Sequence, residues 1–104
     1  MITVTIGGES RDMSEVSESW INQTINRHRK DGKNVCVQVR ITTSGVDVGL
    51  STPTCGGGFG GGRLPNAREQ EIIALWNKHG LNRPDFTGGN LIAFLRAVSR
   101  AAAA

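Results

Sequence analysis

Residues 35–51 read Val-Cys-Val-Gln-Val-Arg-Ile-Thr-Thr-Ser-Gly-Val-Asp-Val-Gly-Leu-Ser and carry the clearest secondary-structure pattern in the chain. Branched apolar residues occupy every second position from Val35 to Ile41, and the alternation resumes from Val46 to Leu50. A period of two places such side chains on one face of a β-strand. Because a short Thr-Ser-Gly turn joins the two runs, we predict an antiparallel hairpin with one apolar and one polar face.

One strand and one helix are predicted before this hairpin. Residues 2–6 alternate isoleucine or valine with threonine, and Gly7-Gly8 then break the strand. Ser14 is a suitable N-cap for a helix whose basic last turn complements the helix dipole, and Gly32 is a suitable stop. The apolar residues of this helix are Val16, Trp20, Ile21 and Ile25.

Two helices are predicted after the hairpin. Asn66 and Glu69 have the spacing of a capping box, and Gly80 ends the helix that they begin. A connection at residues 81–86 precedes a last helix capped by Thr87. The apolar positions are Ile72, Ile73, Leu75 and Trp76 in the first of these helices and Leu91, Ile92, Phe94, Leu95 and Val98 in the second.

These elements predict one α/β (α+β) domain over residues 1–100, a two-layer sandwich of order β-α-β-β-α-α. Since each strand has a single apolar face, the three helices are expected on one side of a three-stranded sheet, with Trp20 and Trp76 in the core. Residues 101–104 are interpreted as a tail or an expression remnant. The opposite, polar face would carry Thr3, Thr5, Cys36, Gln38, Arg40, Asp47 and Ser51.

A glycine-rich loop, residues 55–63, separates the strands from the last two helices. It reads Cys-Gly-Gly-Gly-Phe-Gly-Gly-Gly-Arg. Backbone amides before a helix N-terminus can bind phosphate, so anion binding is one hypothesis. However, the Lys-Ser/Thr pair of a P-loop is replaced by Arg-Leu, and a neutral connector or a partner-binding loop are the alternatives. The candidate binding residues are Phe59, Gly60, Gly61, Gly62, Arg63 and Arg68.

The charge balance leaves nucleic-acid binding open as an alternative function. Twelve basic and nine acidic residues give a net charge of +3, a smaller excess than dedicated nucleic-acid binders usually carry. A basic patch is expected at Arg27, Arg29 and Lys30, and further arginines are distributed through the second half of the chain. Neither a helix-turn-helix nor an aromatic sheet face for stacking bases is indicated.

Catalysis, metals and membranes have little support in the sequence. Cys55 is a candidate nucleophile without a partner base, so we interpret it as an incidental loop thiol and Cys36 as a small strand residue. The scattered carboxylates form no pair across a cleft, and no zinc-ligand spacing is present. We therefore expect no catalytic residues, no metal and no cofactor. Two cysteines cannot form the dense disulfide framework of a small secreted domain, and neither a leader nor a membrane span is indicated, so a soluble cytoplasmic protein is expected.

By elimination, the sequence predicts a small non-catalytic binding or adaptor module that acts through protein–protein contacts. The partner would be another protein or a second copy of the chain, which makes a homodimer a specific form of the hypothesis. Pairing along the exposed edge of the hairpin is one way in which two copies could associate. Nucleic-acid binding through the arginines and anion binding at the glycine-rich loop remain the alternatives.

Overall fold

The computed structural model describes residues 1–29, 35–43, 45–55 and 64–103. Within these ranges the chain forms four strands and three helices. The strands are β1 (Ile2–Ile6), β2 (Glu9–Asp12), β3 (Val37–Thr43) and β4 (Val46–Ser51), and the helices are α1 (Glu18–His28), α2 (Ala67–Lys78) and α3 (Gly88–Ala103). Two short 3-10 turns, Met13–Glu15 and Pro53–Cys55, precede α1 and follow β4, respectively.

The strands form one antiparallel sheet in the order β2-β1-β3-β4. The predicted hairpin is confirmed as β3–β4, with Ile41 opposite Val48. Strand β1 lies antiparallel to β3 on its other side, with Val4 opposite Val39. The predicted class of helices with an antiparallel sheet is thus confirmed, whereas the three-stranded sheet and the order β-α-β-β-α-α are wrong.

The strand that the sequence did not predict is β2. Gly7 and Gly8 have φ angles of +58° and +90°, the left-handed region required at both central positions of a tight hairpin turn. The chain therefore reverses there and pairs β2 with β1, with Thr5 opposite Ser10. Since β2 reads Glu-Ser-Arg-Asp, it has no apolar residue that could produce an alternating pattern.

Helix α1 begins later than predicted. The side chain of Ser17, rather than Ser14, is the N-cap and accepts a hydrogen bond from the backbone N–H of Trp20 at 3.0 Å. Ser14 lies in the preceding 3-10 turn, where its backbone N–H donates to the Asp12 carboxylate at 3.1 Å. The predicted stop, Gly32, lies outside the described residues.

The two later helices begin as the sequence predicts. Asn66 and Glu69 form a reciprocal capping box at the start of α2, and Gly80, with φ of +77°, follows its end. At the start of α3, the backbone N–H of Asn90 donates to the Thr87 hydroxyl, and the Asn90 side chain accepts from the Thr87 N–H. These bonds satisfy N–H groups that a helix start leaves without intrahelical partners.

The apolar faces of β1, β3 and β4 pack against the helices in one core. Trp20 and Trp76 are both buried in it, as predicted, and the rings of Trp76 and Phe94 form a T-shaped pair with their centroids 5.2 Å apart. The connection between α2 and α3 also contributes, because Leu81 and Phe86 at its two ends are fully buried. These anchors hold α2 and α3 against the same side of the sheet.

Candidate functional site

Most of the predicted binding loop lies outside the described residues. This applies to Phe59, to residues 60–63 and to Lys30 of the predicted basic patch. Arg68 is described and lies in the first turn of α2. Arg27 lies in the last turn of α1, and Arg29 is the C-cap residue of that helix. The structure thus places the described candidates on two different helices.

The charged groups near the end of α1 form a cluster around Glu9. The Glu9 carboxylate lies 2.5 Å from Nε2 of His28 and 3.3 Å from the guanidinium of Arg27. The hydrogen bond to His28, followed by the charge of Arg27, holds the pKa of Glu9 below its ordinary value. Arg27 is therefore already paired with a carboxylate.

Two further arginines, on α3 and on β3, are paired as well. Arg96 forms an ion pair with Glu18, and Arg40 lies 3.0 Å from the Asp47 carboxylate. A phosphate group would compete with these carboxylates for the same guanidinium groups. These pairs reduce the positive charge available to a nucleic acid.

The two cysteines are joined, so the interpretation of Cys55 as an incidental thiol and of Cys36 as a simple strand residue is wrong. Their sulfur atoms are 2.01 Å apart and their Cα atoms 4.6 Å apart. Cys36 lies just before β3, and Cys55 ends the second 3-10 turn. A reduced compartment was expected because two cysteines cannot form a dense disulfide framework, and the single Cys36–Cys55 disulfide adds no support to that expectation.

Hydrogen bonds hold the same junction independently of the disulfide. The backbone N–H of Thr52 donates to the Val37 carbonyl at 3.0 Å, and the Val37 N–H donates to the Thr52 hydroxyl at 3.1 Å. The Thr54 hydroxyl donates to the Val35 carbonyl at 3.0 Å. The chain preceding the glycine-rich stretch is thus attached to the beginning of β3.

The polar face of the sheet has the composition that the sequence predicts. The hydroxyl groups of Thr5 and Ser10 are 2.8 Å apart across β1 and β2. On the neighbouring strands, Gln38 and Arg40 are exposed. This face carries hydroxyl, amide and charged groups, and it has no apolar centre of the kind found in many protein interfaces.

An apolar groove of about 380 Å³ runs along α2, and we call it the α2 groove. It lies between α2, the turn end of the β3–β4 hairpin and α3. Its lining residues are Ile41, Thr43, Val46, Arg68, Glu71, Ile72, Ala74, Leu75, Lys78 and Val98. Ile72 and Leu75 are half-buried, while Glu71, Ala74 and Lys78 on the same side of the helix are exposed.

One end of the α2 groove is fixed by hydrogen bonds between α2 and the hairpin. The Glu69 carboxylate accepts the backbone N–H of Asp47 at 2.8 Å, and the Asn66 side-chain amide donates to the Gly45 carbonyl at 2.8 Å. Because Glu69 occupies the N–H of Asp47, that position on the edge of β4 is closed to an added strand. Pairing along the hairpin edge is therefore blocked at this end.

A second hollow, of about 320 Å³, lies on the other flank of α2. It is more polar than the α2 groove and is lined by Ser51, Thr52, Pro53, Ile73, Trp76, Asn77 and Asn82. One of its lining residues is the buried Trp76, whose ring packs against Phe94. Helix α2 therefore has a hollow on each side.

The sequence contained a signal for the α2 groove that our interpretation did not use. The sequence places four apolar residues of α2 in one stripe: Ile72, Ile73, Leu75 and Trp76. In the structure Trp76 enters the core, whereas Ile72 and Leu75 face the groove. Four apolar residues within five positions cover a wider sector than a single contact with the sheet requires.

Among the described residues, no group of three or more His, Cys, Asp or Glu side chains is placed to hold a metal ion. None of the helices in the described ranges has the length and apolar character needed to cross a membrane. Comparisons of the chain with models of protein families, with curated proteins and with solved structures found no match.

Proposed function

We propose that the chain is a non-catalytic protein-binding module and that the α2 groove is its contact surface. The observation that carries the proposal is an apolar floor with charged residues at its rim. Ile72, Leu75 and Val98 contribute to the floor, and Arg68 and Lys78 lie toward the two ends of the helix. A desolvated apolar centre surrounded by charges is the usual anatomy of a protein interface.

The chemistry of the lining favours a protein over a small molecule. Sites for small molecules place several polar groups so that they converge on the ligand and fix its orientation. In the α2 groove, Thr43 is the neutral polar residue of the lining, and the other polar residues are Arg68, Glu71 and Lys78. This lining provides apolar contact area and charge complementarity.

The length of α2 along the groove suits a helical occupant. Arg68 and Lys78 are ten residues apart on α2, which corresponds to about 15 Å, or about three helical turns. An amphipathic helix of that length presents apolar residues at spacings of three and four, the pattern of helix-in-groove recognition. A strand is a poorer occupant because Glu69 covers the nearest part of the β4 edge.

The proposal is tested by titrating the isotope-labelled chain with a designed helical peptide of about 18 residues, with leucines at spacings of three and four and Glu or Lys elsewhere. The backbone amides of Ile72, Leu75 and Val46 should shift saturably, and those of Thr5 and Gln38 on the open sheet face should not. A control peptide with glutamine in place of leucine should cause no saturable shift.

A matched pair of variants distinguishes binding in the α2 groove from nonspecific hydrophobic binding. Leu75→Gln removes an apolar side chain from the floor and should weaken binding of the designed peptide by about tenfold or more. Leu64 is 90% exposed and does not line the groove, so Leu64→Gln should leave the affinity within about twofold. Absence of saturable shifts up to about 1 mM peptide would overturn the proposal.

A further inference from the structure

The exposed side of α2 has charges arranged so that a second copy of the same helix would complement it. Glu71 and Lys78 are seven residues apart, which is about two helical turns, and therefore lie on one side of the helix. Ala74 and Leu75 lie between them on that side. All four residues line the α2 groove.

A two-fold axis that passes between Ala74 and Leu75 places two copies of α2 antiparallel. Glu71 of each copy then faces Lys78 of the other, so the contact contains two opposite-charge pairs. Leu75 of each copy meets Ala74 of the other, and a large residue opposite a small one allows the helices to approach closely. Such a contact uses the same surface of both copies, as two-fold symmetry requires.

The alternative parallel arrangement is unfavourable. It would place Glu71 beside Glu71 and Lys78 beside Lys78, and like charges across an interface disfavour association. In the antiparallel arrangement, Arg68 of one copy lies opposite the position of Leu81, beyond the end of the other helix. The charge order along α2 therefore selects the antiparallel contact.

From this self-complementarity we infer that the occupant of the α2 groove is helix α2 of a second copy of the chain. The inference rests on the proposed function, since it names the partner of the same surface. Two chains joined in this way bury Ile72 and Leu75 of both copies. The polar sheet faces remain outside the contact.

The experiment is a charge-reversal cycle followed by sedimentation equilibrium at chain concentrations from about 10 µM to 1 mM. The wild-type chain should sediment as a dimer at the upper end of this range. Glu71→Lys or Lys78→Glu alone converts both opposite-charge pairs into like-charge pairs and should weaken dimerisation about 10- to 100-fold. The double variant exchanges the charges and should recover wild-type dimerisation to within about threefold.

Arg29→Glu is the matched control. It changes the net charge by the same amount as Lys78→Glu at the exposed C-cap residue of α1, which does not line the α2 groove, and it should leave dimerisation unchanged. The circular dichroism spectrum of each variant verifies that the chain is folded. A dimer that is insensitive to the single reversals, or one that the double variant does not restore, would show that another surface is used and would overturn the inference.

The two proposals fail in distinguishable ways. In one case the wild-type chain remains monomeric up to about 1 mM but its groove binds the designed helix. The inference that a second copy is the partner is then wrong, and the proposed protein-binding function stands. If the chain neither dimerises nor binds the designed helix, both proposals are overturned.

Discussion

The Glu69 carboxylate receives the backbone N–H of Asp47 at 2.8 Å and thereby joins the start of α2 to the outer edge of the sheet. Glu69 is 1% exposed, and its other carboxylate oxygen accepts the backbone N–H of Asn66 at 2.8 Å. A single buried side chain therefore both caps a helix and covers a strand. This contact sets the position of α2 relative to the hairpin and fixes one end of the α2 groove.

Replacing Glu69 by alanine is expected to lower the free energy of unfolding by about 2–3 kcal/mol, because two backbone N–H groups lose a charged acceptor. Urea unfolding monitored by tryptophan fluorescence measures the change. Glu15→Ala is the control, since Glu15 is an exposed glutamate in the 3-10 turn Met13–Glu15 and lies outside the α2 groove, and it should change the stability by at most about 0.5 kcal/mol. Equal effects of the two substitutions would contradict this role of Glu69.

Removal of the disulfide in the Cys36→Ala/Cys55→Ala variant is expected to lower the free energy of unfolding by about 3 kcal/mol. The cysteines are 19 positions apart, and closing a loop of that size restricts the unfolded chain by about this amount. Unfolding curves with and without a reductant test the prediction. The wild-type curve should move with reductant and that of the double variant should not; a reductant-insensitive wild type would refute it.

Substitution of Gly7 by alanine is expected to destabilise the chain more than substitution of Gly8. Both residues have positive φ, so each alanine should cost about 1–2 kcal/mol of conformational energy. A Cβ atom on Gly7 would also lie 2.6 Å from the His28 ring, whereas none of the described atoms lies within 4 Å of one on Gly8. Overpacking against His28 should add about 1–3 kcal/mol.

The part of this difference caused by the His28 ring can be isolated. In a His28→Ala background the contact is absent, so the Gly7→Ala and Gly8→Ala variants should have similar free energies of unfolding. Thermal unfolding of the six combinations provides the comparison. A difference that persists without the imidazole would mean that backbone conformation, rather than the ring, distinguishes the two glycines.

The His28→Ala variant is expected to raise the pKa of Glu9. In the native chain the hydrogen bond from His28, followed by the charge of Arg27, lowers this pKa from its ordinary value of 4.5. The folded state therefore favours the ionised carboxylate. Its contribution to stability is present above the unfolded-state pKa and is lost as the pH falls through the lower folded-state pKa.

Titration of the carboxyl carbons by NMR measures this shift directly. Asp12 is an internal control, because its lowered pKa arises first from the Ser14 hydroxyl and next from the Ser14 backbone N–H. The pKa of Asp12 should be unchanged by His28→Ala and raised by Ser14→Ala. A Glu9 carboxyl that titrates at its ordinary value in the wild-type chain would contradict the predicted effect of His28.

The sequence predicts the elements in which burial or local hydrogen bonding produces a recognisable pattern of residue types. Strands β3 and β4 alternate because one face is buried, and the Asn66 and Glu69 spacing identifies a helix start through local hydrogen bonds. Strand β2 could not be found in this way, because its residues are polar on both faces. Its identity depends on the Gly7-Gly8 turn and on pairing with β1, and pairing is a property of the folded chain.

The disulfide shows how a correct local prediction can be carried further. In the β3–β4 register Gln38 lies opposite Ser51, so continuing the hairpin brings Thr52 to Val37 and the following turn toward Cys36. The predicted hairpin therefore implies that the two cysteines lie close together. The disulfide does not follow from the strand pattern alone, because that pattern ends at Pro53 and the Pro53–Cys55 turn lies beyond it.

For the α2 groove, the sequence shows a wide apolar sector on α2 but does not show which neighbouring elements leave part of that sector uncovered. Ile72 and Leu75 are residue types that also occur in the core. They are half-buried because of the positions of the hairpin turn and α3. Arg68 is a sequence candidate because its charge could assist anion binding at the glycine-rich loop, whereas in the structure it lines this groove. The charge of Arg68 marks it as a candidate in the sequence, but the packing of α2, α3 and the hairpin defines the surface that it lines.

Strand β2 also bears on the behaviour of concentrated solutions. It presents three charged side chains within four positions on the outermost strand of the sheet, and an incoming chain would have to desolvate them to extend the cross-β ladder. Fibril growth from this side is therefore disfavoured while β2 remains paired. Prolonged incubation with thioflavin T should give no increase in fluorescence, even at high protein concentration.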